Sequence, residues 1–481
     1  TAEVAWDKDF HMQQRRDTVS LTLSASKTDG ILDTLNRVIT EGTWTDDSTR
    51  KIGDTLYLWN TTSQTTAKSF NFATASDVYT AAHNVGTTAG TSNVVGVAEG
   101  NNKSTIALGA YSGFVTESGT TLNISNVNIT GTDSLLANGG NTTLTNVTTA
   151  AAGAISNTGT LTLDSSTIQG AITNTATLNV QGETTVDGII SGEGGTTYVL
   201  GTLRANEQVQ QTLNISQDGK LYISATNIKS GATNAGDIYL SDGTLTTAID
   251  GGTTTIQGVV NNTATMGNVV VDTNGNLTVG ANILNLINKG ITGASTANLT
   301  GSIENQNELN LTGNLDKSIT GNGTTKVDMT LTLASGASIT GTLDLNDGTI
   351  ALTDSDSAYI RYNIGKLAGV GTVDLDIDGV NSTSDQLVIG GNSTEGATLT
   401  LGTLTISGLE TKLSNETYDS TKGAPTTFSV QILDGGNANL ALGANATNTN
   451  YNYTYIGAEQ REAITAEVAW DKDFHMQQRR D

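Results

Sequence analysis

An aspartate-rich segment is the clearest candidate for metal chemistry in this chain. Asp374, Asp376, Asp378 and Gly379 spell DxDxDG, and Asp385 stands at the twelfth position of the same segment. Hard carboxylate oxygens at this spacing are typical of a calcium loop, in which the glycine permits a sharp turn. Two features oppose that interpretation, because the last ligand is Asp rather than Glu and the eighth position is Asn instead of an apolar residue.

The same segment also fits the pattern of a β-strand. Val373, Leu375 and Ile377 alternate with the aspartates, and alternate residues of a strand lie on one face. We favour this interpretation, in which the three apolar residues face a core and the aspartates face solvent. We therefore expect no bound metal ion here.

Histidine, cysteine and serine motifs give little support for catalysis. The chain has no cysteine. Of its three histidines, His475 is the copy of His11 in the duplicated segment, so only His11 and His83 are distinct. No histidine pair at helical spacing favours a zinc site, and no GxSxG motif marks a nucleophile elbow. Carboxylate pairs on a long β-structure could serve a polysaccharide lyase or hydrolase, but outward aspartates are common on any strand. We predict neither an enzyme nor a cofactor.

A perfect duplication is the most informative feature of the chain. Residues 1–17, TAEVAWDKDFHMQQRRD, return unchanged as residues 465–481, at an offset of 464 positions (465 minus 1). The simplest explanation is one complete unit of a tandem array, followed by the start of the next identical unit. A duplicated tag would give the same text, but Trp6, Phe10 and Met12 are unusual in a tag.

Composition and charge limit the possible functions. One proline, 55 glycines and many Thr and Asn residues indicate strands joined by turns. The net charge of −24 argues against nucleic acid as a partner, since phosphate binding needs a large basic patch. No stretch approaches the roughly 18 to 20 consecutive apolar residues of a transmembrane helix, so we expect no membrane insertion in this segment.

A short sequence pattern recurs through the middle of the chain. Each copy has Gly, any residue, Ile or Val, any residue, Asn, three residues, then Leu or Met. The copies are GAISNTGTL (153–161), GAITNTATL (170–178), GVVNNTATM (258–266) and GSIENQNEL (301–309). In the adjacent pair Ile155 recurs as Ile172. This period, roughly 17 to 18 residues, is close to one turn of a small parallel β-solenoid.

The pattern also predicts which residues are buried. Ile155, Leu161 and Leu163 should face inward, while Thr160 and Thr162 face solvent. Asn at the same place in successive turns can accept a left-handed conformation and stack its amides into a ladder. The alternative is that Asn marks loops between antiparallel hairpins, although tight two-residue hairpin signals are rare here.

These patterns predict an all-β fold, a parallel β-solenoid with an aromatic-rich N-terminal module and short helical insertions. The predicted segments are a repeat start (1–17), the aromatic-rich module (18–114), the solenoid core (115–357), C-terminal β-rich turns with the inter-repeat joint (358–464), and the start of the next unit (465–481). Asp29 to Gly42 is a candidate helix, with Ile31, Leu35, Val38 and Ile39 on one face.

Aromatic residues near the duplicated segment mark the expected joint between units. Large apolar groups that stay exposed on a soluble fibre invite aggregation, so we expect them to pack at the boundary. The predicted joint residues are Trp6, Phe10, Met12, Tyr451, Tyr453, Tyr455, Trp470, Phe474 and Met476. The alternation of the three tyrosines puts them on one face of a strand, whereas residues 458–480 fit either a helix or a strand.

Two longer segments carry a family resemblance. GTVDLDIDGVNSTSDQLVIGG (371–391), followed by ATLTLGTLTISG, and the turn GAISNTGTLTLDSSTI (153–168) resemble the passenger domains of bacterial autotransporters over roughly residues 115–440. The resemblance implies a right-handed β-helix at the cell surface or outside the cell.

Two functions compete on these observations. The first is a structural repeat unit of a giant extracellular filament, sheath or matrix protein, with identical units joined head to tail and lateral self-association as a further option. The second is a surface adhesin, in which the solenoid is a stalk and the N-terminal module binds a receptor or glycan. An exposed aromatic cluster would favour the adhesin, and a buried cluster at the joint would favour the structural unit.

Overall fold

A computed structural model describes much of the chain, and the residues that it describes are 31–32, 38–39, 55–58, 69–72, 79–81, 91–96, 98–99, 102–108, 113–131, 134–290, 293–295, 298–352, 359–378, 381, 383–407, 427–435, 439–443, 451–456 and 463–470. The chain divides into two compact units, Thr1–Thr254 and Thr255–Asp481. Each unit is a parallel β-solenoid.

The strands of the first unit are two to seven residues long. They are β1 (Ile31–Leu32), β2 (Val38–Ile39), β3 (Thr55–Leu58), β4 (Ser69–Phe72), β5 (Tyr79–Ala81), β6 (Thr91–Gly96), β7 (Ala98–Glu99), β8 (Asn102–Leu108), β9 (Phe114–Thr116), β10 (Thr121–Ser125), β11 (Val127–Thr130), β12 (Ser134–Asn138), β13 (Asn141–Thr145), β14 (Thr148–Thr149), β15 (Ala154–Asn157), β16 (Thr160–Asp164), β17 (Thr167–Ile168), β18 (Ile172–Asn174), β19 (Thr177–Gln181), β20 (Glu183–Val186), β21 (Ile190–Ser191), β22 (Thr196–Val199), β23 (Thr202–Ala205), β24 (Thr212–Ile215), β25 (Lys220–Ser224), β26 (Ala232–Asn234), β27 (Asp237–Ser241) and β28 (Gly243–Leu245). The next strand, β29 (Ile249–Ile256), contains the point of division.

The second unit has longer strands. They are β30 (Val259–Asn262), β31 (Met266–Val271), β32 (Asn276–Val279), β33 (Ile283–Asn288), β34 (Ala294–Ser295), β35 (Ile303–Asn305), β36 (Glu308–Leu315), β37 (Ser318–Thr320), β38 (Thr324–Leu333), β39 (Ser338–Asp344), β40 (Thr349–Leu352), β41 (Arg361–Ala368), β42 (Val370–Asp378), β43 (Thr383–Ser384), β44 (Gln386–Ile389), β45 (Thr398–Ser407), β46 (Thr427–Gly435), β47 (Ala441–Gly443), β48 (Tyr451–Ile456) and β49 (Ala463–Trp470).

Through most of the first unit each turn contributes three strand segments, and each segment pairs in parallel with its equivalent in the next turn. One stack runs through β9, β12, β15, β18 and β21. In the later turns isolated bridges at Val209 and Ile228 continue this stack. A second stack runs through β10, β13, β16, β19, β22, β24 and β26. The third runs through β11, β14, β17, β20, β23, β25 and β27.

The observed strand register matches the period that the repeated pattern predicts. Ile155 lies opposite Ile172, and Asn157 lies opposite Asn174. In the adjacent stack Leu161 lies opposite Leu178. The prediction of a parallel solenoid is therefore confirmed, and the alternative of antiparallel hairpins over this segment is wrong.

Alternation along the strands builds the core. Ile155, Leu161 and Leu163 are buried, as predicted, while Thr160 and Thr162 are partly exposed. In this part of the chain aliphatic residues lie directly over those of the next turn, and burial of one such side chain contributes about 1.5 to 3 kcal/mol.

The repeated asparagines form a buried ladder of amides. Asn138 Nδ2 donates to Asn157 Oδ1 at 2.6 Å, and Asn157 Nδ2 donates to Asn174 Oδ1 at 2.6 Å. The next rung is a glutamine, since Asn174 Nδ2 donates to Gln211 Oε1 at 2.6 Å. The predicted ladder is confirmed.

The backbone conformation predicted for the ladder is wrong. Asn157 and Asn174 are the last residues of the extended strands β15 and β18, and neither has a positive φ. Left-handed asparagines occur instead after the second strand of a turn, at Asn126 (φ 56°) and Asn146 (φ 53°).

Lack of space explains why the repeated pattern begins with glycine. A Cβ atom on Gly170 would overlap the carbonyl oxygen of Gly153, the same position one turn earlier, and a Cβ on Gly188 would overlap the carbonyl of Gly170. Successive turns therefore approach too closely at this corner for any larger residue.

Turns of the second unit lengthen toward its C-terminal end. Early in the unit Met266 lies opposite Ile283, at the same spacing as Ile155 and Ile172. Further along, Ile339 lies opposite Ile364, and Leu387 lies opposite Leu433, so that the separation in sequence grows from pair to pair. The number of residues per turn thus increases while the stacked strands remain paired.

The predicted helical insertions are wrong for the described residues. Within the candidate helix 29–42 the structure has two antiparallel strands, in which Ile31 lies opposite Ile39 and Leu32 lies opposite Val38. Valine and isoleucine are β-branched and fit a pleated pair better than a helix. The one helical element in the described part of the chain is a 3₁₀ turn at Ala225–Asn227.

The aromatic-rich module can be described at the level of its strands. Strands β3, β4 and β5 pair in parallel with β6, β8 and β9 respectively, so parallel pairing begins within residues 18–114. Among the residues described there, no aromatic cluster is found, and Trp44 and Trp59 lie outside them. The right-handed winding stays a prediction.

Candidate joint between repeat units

The aspartate-rich segment is a strand, as the alternation predicted. In β42 the residues Val373, Leu375 and Ile377 are buried, and the intervening aspartates are partly exposed. The strand then folds back onto β43 in an antiparallel pair.

The aspartates of this segment have structural partners. Asp374 Oδ1 accepts a hydrogen bond from the Thr403 amide at 2.6 Å, and the buried Asp385 accepts one through Oδ1 from the Ile360 amide at 2.9 Å. No group of three or more metal-binding side chains occurs in the part of the chain that the structure describes. His11, His83 and His475 lie outside those residues.

The more informative site is a three-stranded antiparallel sheet at the end of the second unit. Strand β49 is its central strand and pairs antiparallel with β46 on one side and β48 on the other. On its far side β46 pairs in parallel with β44. Parallel stacking therefore changes to antiparallel pairing at β46, and β49 covers the edge that β46 would otherwise expose.

Strand β46 is fixed to the solenoid by apolar burial and by an ion pair. Ile432 and Leu433 are both buried, and Leu433 lies opposite Leu387 of the preceding turn. Next to them, Arg361 forms an ion pair with Asp434. The strand that receives β49 is thus part of the solenoid core.

The register of the sheet pairs several apolar positions directly. Tyr451 lies opposite Trp470, and Tyr453 lies opposite Val468, which in turn lies opposite Phe428 of β46. Glu467 lies opposite Ser429 and Thr454. The backbone register thus brings three predicted joint residues, Tyr451, Tyr453 and Trp470, into two adjacent paired strands.

The central strand comes mostly from the duplicated segment. Residues 465–470, TAEVAW, are the first six residues of the second copy and match residues 1–6. They pair with β48 at all six positions, and Thr465 to Ala469 also pair with β46. The repeat boundary defined by the sequence thus falls inside a strand.

The predicted joint residues divide into two groups. Tyr451, Tyr453, Tyr455 and Trp470 lie on the two paired strands β48 and β49. Trp6, Phe10, Met12, Phe474 and Met476 lie outside the described residues. The strand state of 463–470 settles the choice between helix and strand for that stretch, and the packing of the joint residues stays a prediction.

Sequence reasoning missed a row of side chains on the outer surface of the first unit. Arg204 Nη2 lies 3.1 Å from Glu183 Oε1, and the Arg204 guanidinium lies 4.3 Å from the ring centre of Tyr222. Tyr222 in turn stacks on Tyr239 with ring centroids 4.4 Å apart and planes 7° apart. The signal was the spacing, because Arg204, Tyr222 and Tyr239 lie directly opposite one another in successive turns.

Comparisons with known proteins add no family. No protein-family model matches the chain, and no curated protein matches it. Among the described residues, no helix has the length and hydropathy needed to cross a membrane.

Proposed function

We propose that this chain is a structural repeat unit of a giant extracellular bacterial protein, in which identical units join head to tail as a filament, sheath or matrix. The observation that carries the proposal is the position of the second copy. Its first six residues form most of the central strand of the antiparallel sheet that follows the last parallel turns. A sequence that repeats without change and closes the unit before it is suited to periodic assembly.

The physical properties of the solenoid in each repeat unit support a mechanical role. Parallel stacks hydrogen-bond each turn to the next, so stability depends on contacts between neighbouring turns and extends along the stack. The net charge of −24 keeps a large assembly soluble through mutual repulsion. Neighbouring copies of the unit are therefore the partners that we propose, with lateral association between chains as a further contact.

The test is to express two, three and four tandem copies of residues 1–464, each array ending with residues 465–481. Electron microscopy of the purified arrays should show contour lengths that increase by a constant increment per unit. Arrays whose units collapse onto one another, with no regular increment, would contradict the proposal. Saturable binding of a single unit to a receptor or glycan would favour the adhesin instead.

A further inference from the structure

We propose that the slot between β46 and β48 is a binding site for residues 1–6 of a second copy of this chain. Separate chains would then join head to tail by strand exchange, without a covalent link. This inference rests on the proposed head-to-tail arrangement and names the partner and the contact that make the joint between chains.

The slot is formed by strands that the duplication does not supply. Both β46 and β48 lie before residue 465, and each pairs with β49. Removal of β49 would therefore leave two facing strand edges with unpaired backbone groups. Such edges recruit any strand that fits between them.

The second copy of the chain carries a segment that fits. Residues 1–6 have the same sequence as 465–470, so they can make each of the pairs that the resident strand makes from those six positions. In that register Val4 and Trp6 would take the positions of Val468 and Trp470, opposite Tyr453 and Tyr451. Addition of a strand to paired edges is an established mode of recognition, in which main-chain hydrogen bonds give affinity and alternate side chains give specificity.

The resident strand has an advantage that a segment from a second chain lacks. Ala463 and Ile464 lie opposite Asp434 and Leu433, and they precede the duplicated residues. The resident strand is also tethered to its slot, which gives it an effective concentration in the millimolar range. Exchange between intact chains should therefore be slow, and weakening of the resident strand should permit it.

The duplication supplies a matched pair of variants for the test. Val468→Pro weakens the resident strand of the full chain, since proline cannot donate to a ladder and is excluded from central strands. Val4→Pro makes the same change in the first copy. The probe is a fluorescent peptide with the sequence of residues 1–17, and its binding is followed by fluorescence anisotropy. Sedimentation velocity reports the association of the chains.

The Val468→Pro chain should bind the peptide at one saturable site, about tenfold or more tightly than the wild-type chain does. It should also form oligomers that grow with concentration. The Val4→Pro chain should behave as the wild type, and the double variant should remain monomeric while still binding the peptide. A peptide carrying Val4→Pro should not bind.

Peptide binding to Val468→Pro no tighter than to the wild type, with hydrogen exchange of the solenoid unchanged, would overturn the inference. If the proline variant loses its solenoid, Val468→Gly replaces it, because glycine weakens a strand but keeps the N–H group; the same outcomes then decide. If the tandem arrays are regular but the peptide does not bind, the strand-exchange inference is wrong and the proposed function stands. If the peptide binds but the arrays show no regular increment, the proposed function is wrong and the strand-exchange inference stands.

Discussion

At the scale of single residues, the asparagines of the repeated pattern do more than mark a turn. Asn157 Nδ2 donates to Asn174 Oδ1 at 2.6 Å and to the Thr177 carbonyl at 2.8 Å, while Asn157 Oδ1 accepts from Asn138 and from the Gly159 amide. One amide therefore satisfies its own turn and both neighbouring turns. Inside an apolar core such a network is costly to break, because buried polar groups lose their partners without gaining water.

The first prediction is that Asn157→Ala destabilises the turns around it. The variant removes four hydrogen bonds from a fully buried site, and each buried group left with a missing partner costs about 1 to 3 kcal/mol. We expect the local free energy of opening to fall by about 3 kcal/mol, which is roughly a 100-fold faster amide exchange in these turns. Hydrogen exchange measured by mass spectrometry gives the value.

The matched control for this prediction is Asn179→Ala, on the partly exposed side of the neighbouring strand β19. A surface change of this kind alters stability by roughly 0.5 kcal/mol or less. Equal effects of the two substitutions would show that the amide ladder contributes little.

At the scale of strands and turns, the repeated pattern has a physical explanation at each of its fixed positions. The glycine permits close approach of successive turns at Gly153 and Gly170, and the next fixed position is a buried aliphatic residue. The asparagine continues the amide ladder. A pattern that combines these requirements specifies the register as well as the strand.

The second prediction compares two adjacent residues of β18. Ile172 is fully buried and lies opposite Ile155 and Ile190, while Thr173 is exposed. Ile172→Asp should destabilise the surrounding turns by several kcal/mol, because an unpaired carboxylate enters a narrow apolar interior. Thr173→Asp should leave stability nearly unchanged. Chemical denaturation followed by circular dichroism compares them, and similar midpoints for the two variants would contradict the assignment of the interior.

The sequence specified the middle of the fold well because its period there is nearly constant. At Ile339 and Ile364, and again at Leu387 and Leu433, insertions separate the partners by different lengths, so no fixed spacing reveals their pairing. The helix predicted at 29–42 failed for a related reason. Its apolar residues fit a helical face as well as a hairpin, and pairing decides between them.

The candidate joint was predictable only in part. The alternation of Tyr451, Tyr453 and Tyr455 was consistent with a strand, and the duplication marked where a repeat boundary would fall. Neither observation could show that β49 lies between β46 and β48, because antiparallel pairing of single strands leaves no periodic signal in the sequence. The row of Arg204, Tyr222 and Tyr239 was accessible from the period of the repeated pattern, but it appears only when outward positions are compared between turns.

At the scale of the whole molecule, the second sequence copy begins before the last described strand ends. This overlap is the property on which the proposed assembly depends. The sequence repeats from residue 465, whereas the final sheet of the second unit ends with Trp470. Each unit in an array would therefore contribute its first residues to the unit before it. In the proposed array, such sharing of a strand would couple the stability of neighbouring repeat units, since the sheet would lack its central strand without the next sequence copy.

The last prediction concerns the aromatic residue at the end of the shared strand. Trp470 lies opposite Tyr451, and it corresponds to Trp6 of the following unit. A Trp-to-Ala change at this position of every unit should leave the individual solenoids folded, because their cores lie in other strands. It should weaken each joint by about 2 to 3 kcal/mol, the value expected for one large apolar side chain. Electron micrographs of the tandem arrays should then show flexible or broken fibres.

The control is Thr465→Ala with Thr1→Ala, at the opposite parity of the same strand, which should leave the fibres straight. Straight, intact fibres from the tryptophan variant, with unit melting temperatures unchanged, would mean that the joint does not depend on this tryptophan side chain and that backbone pairing alone holds the units together.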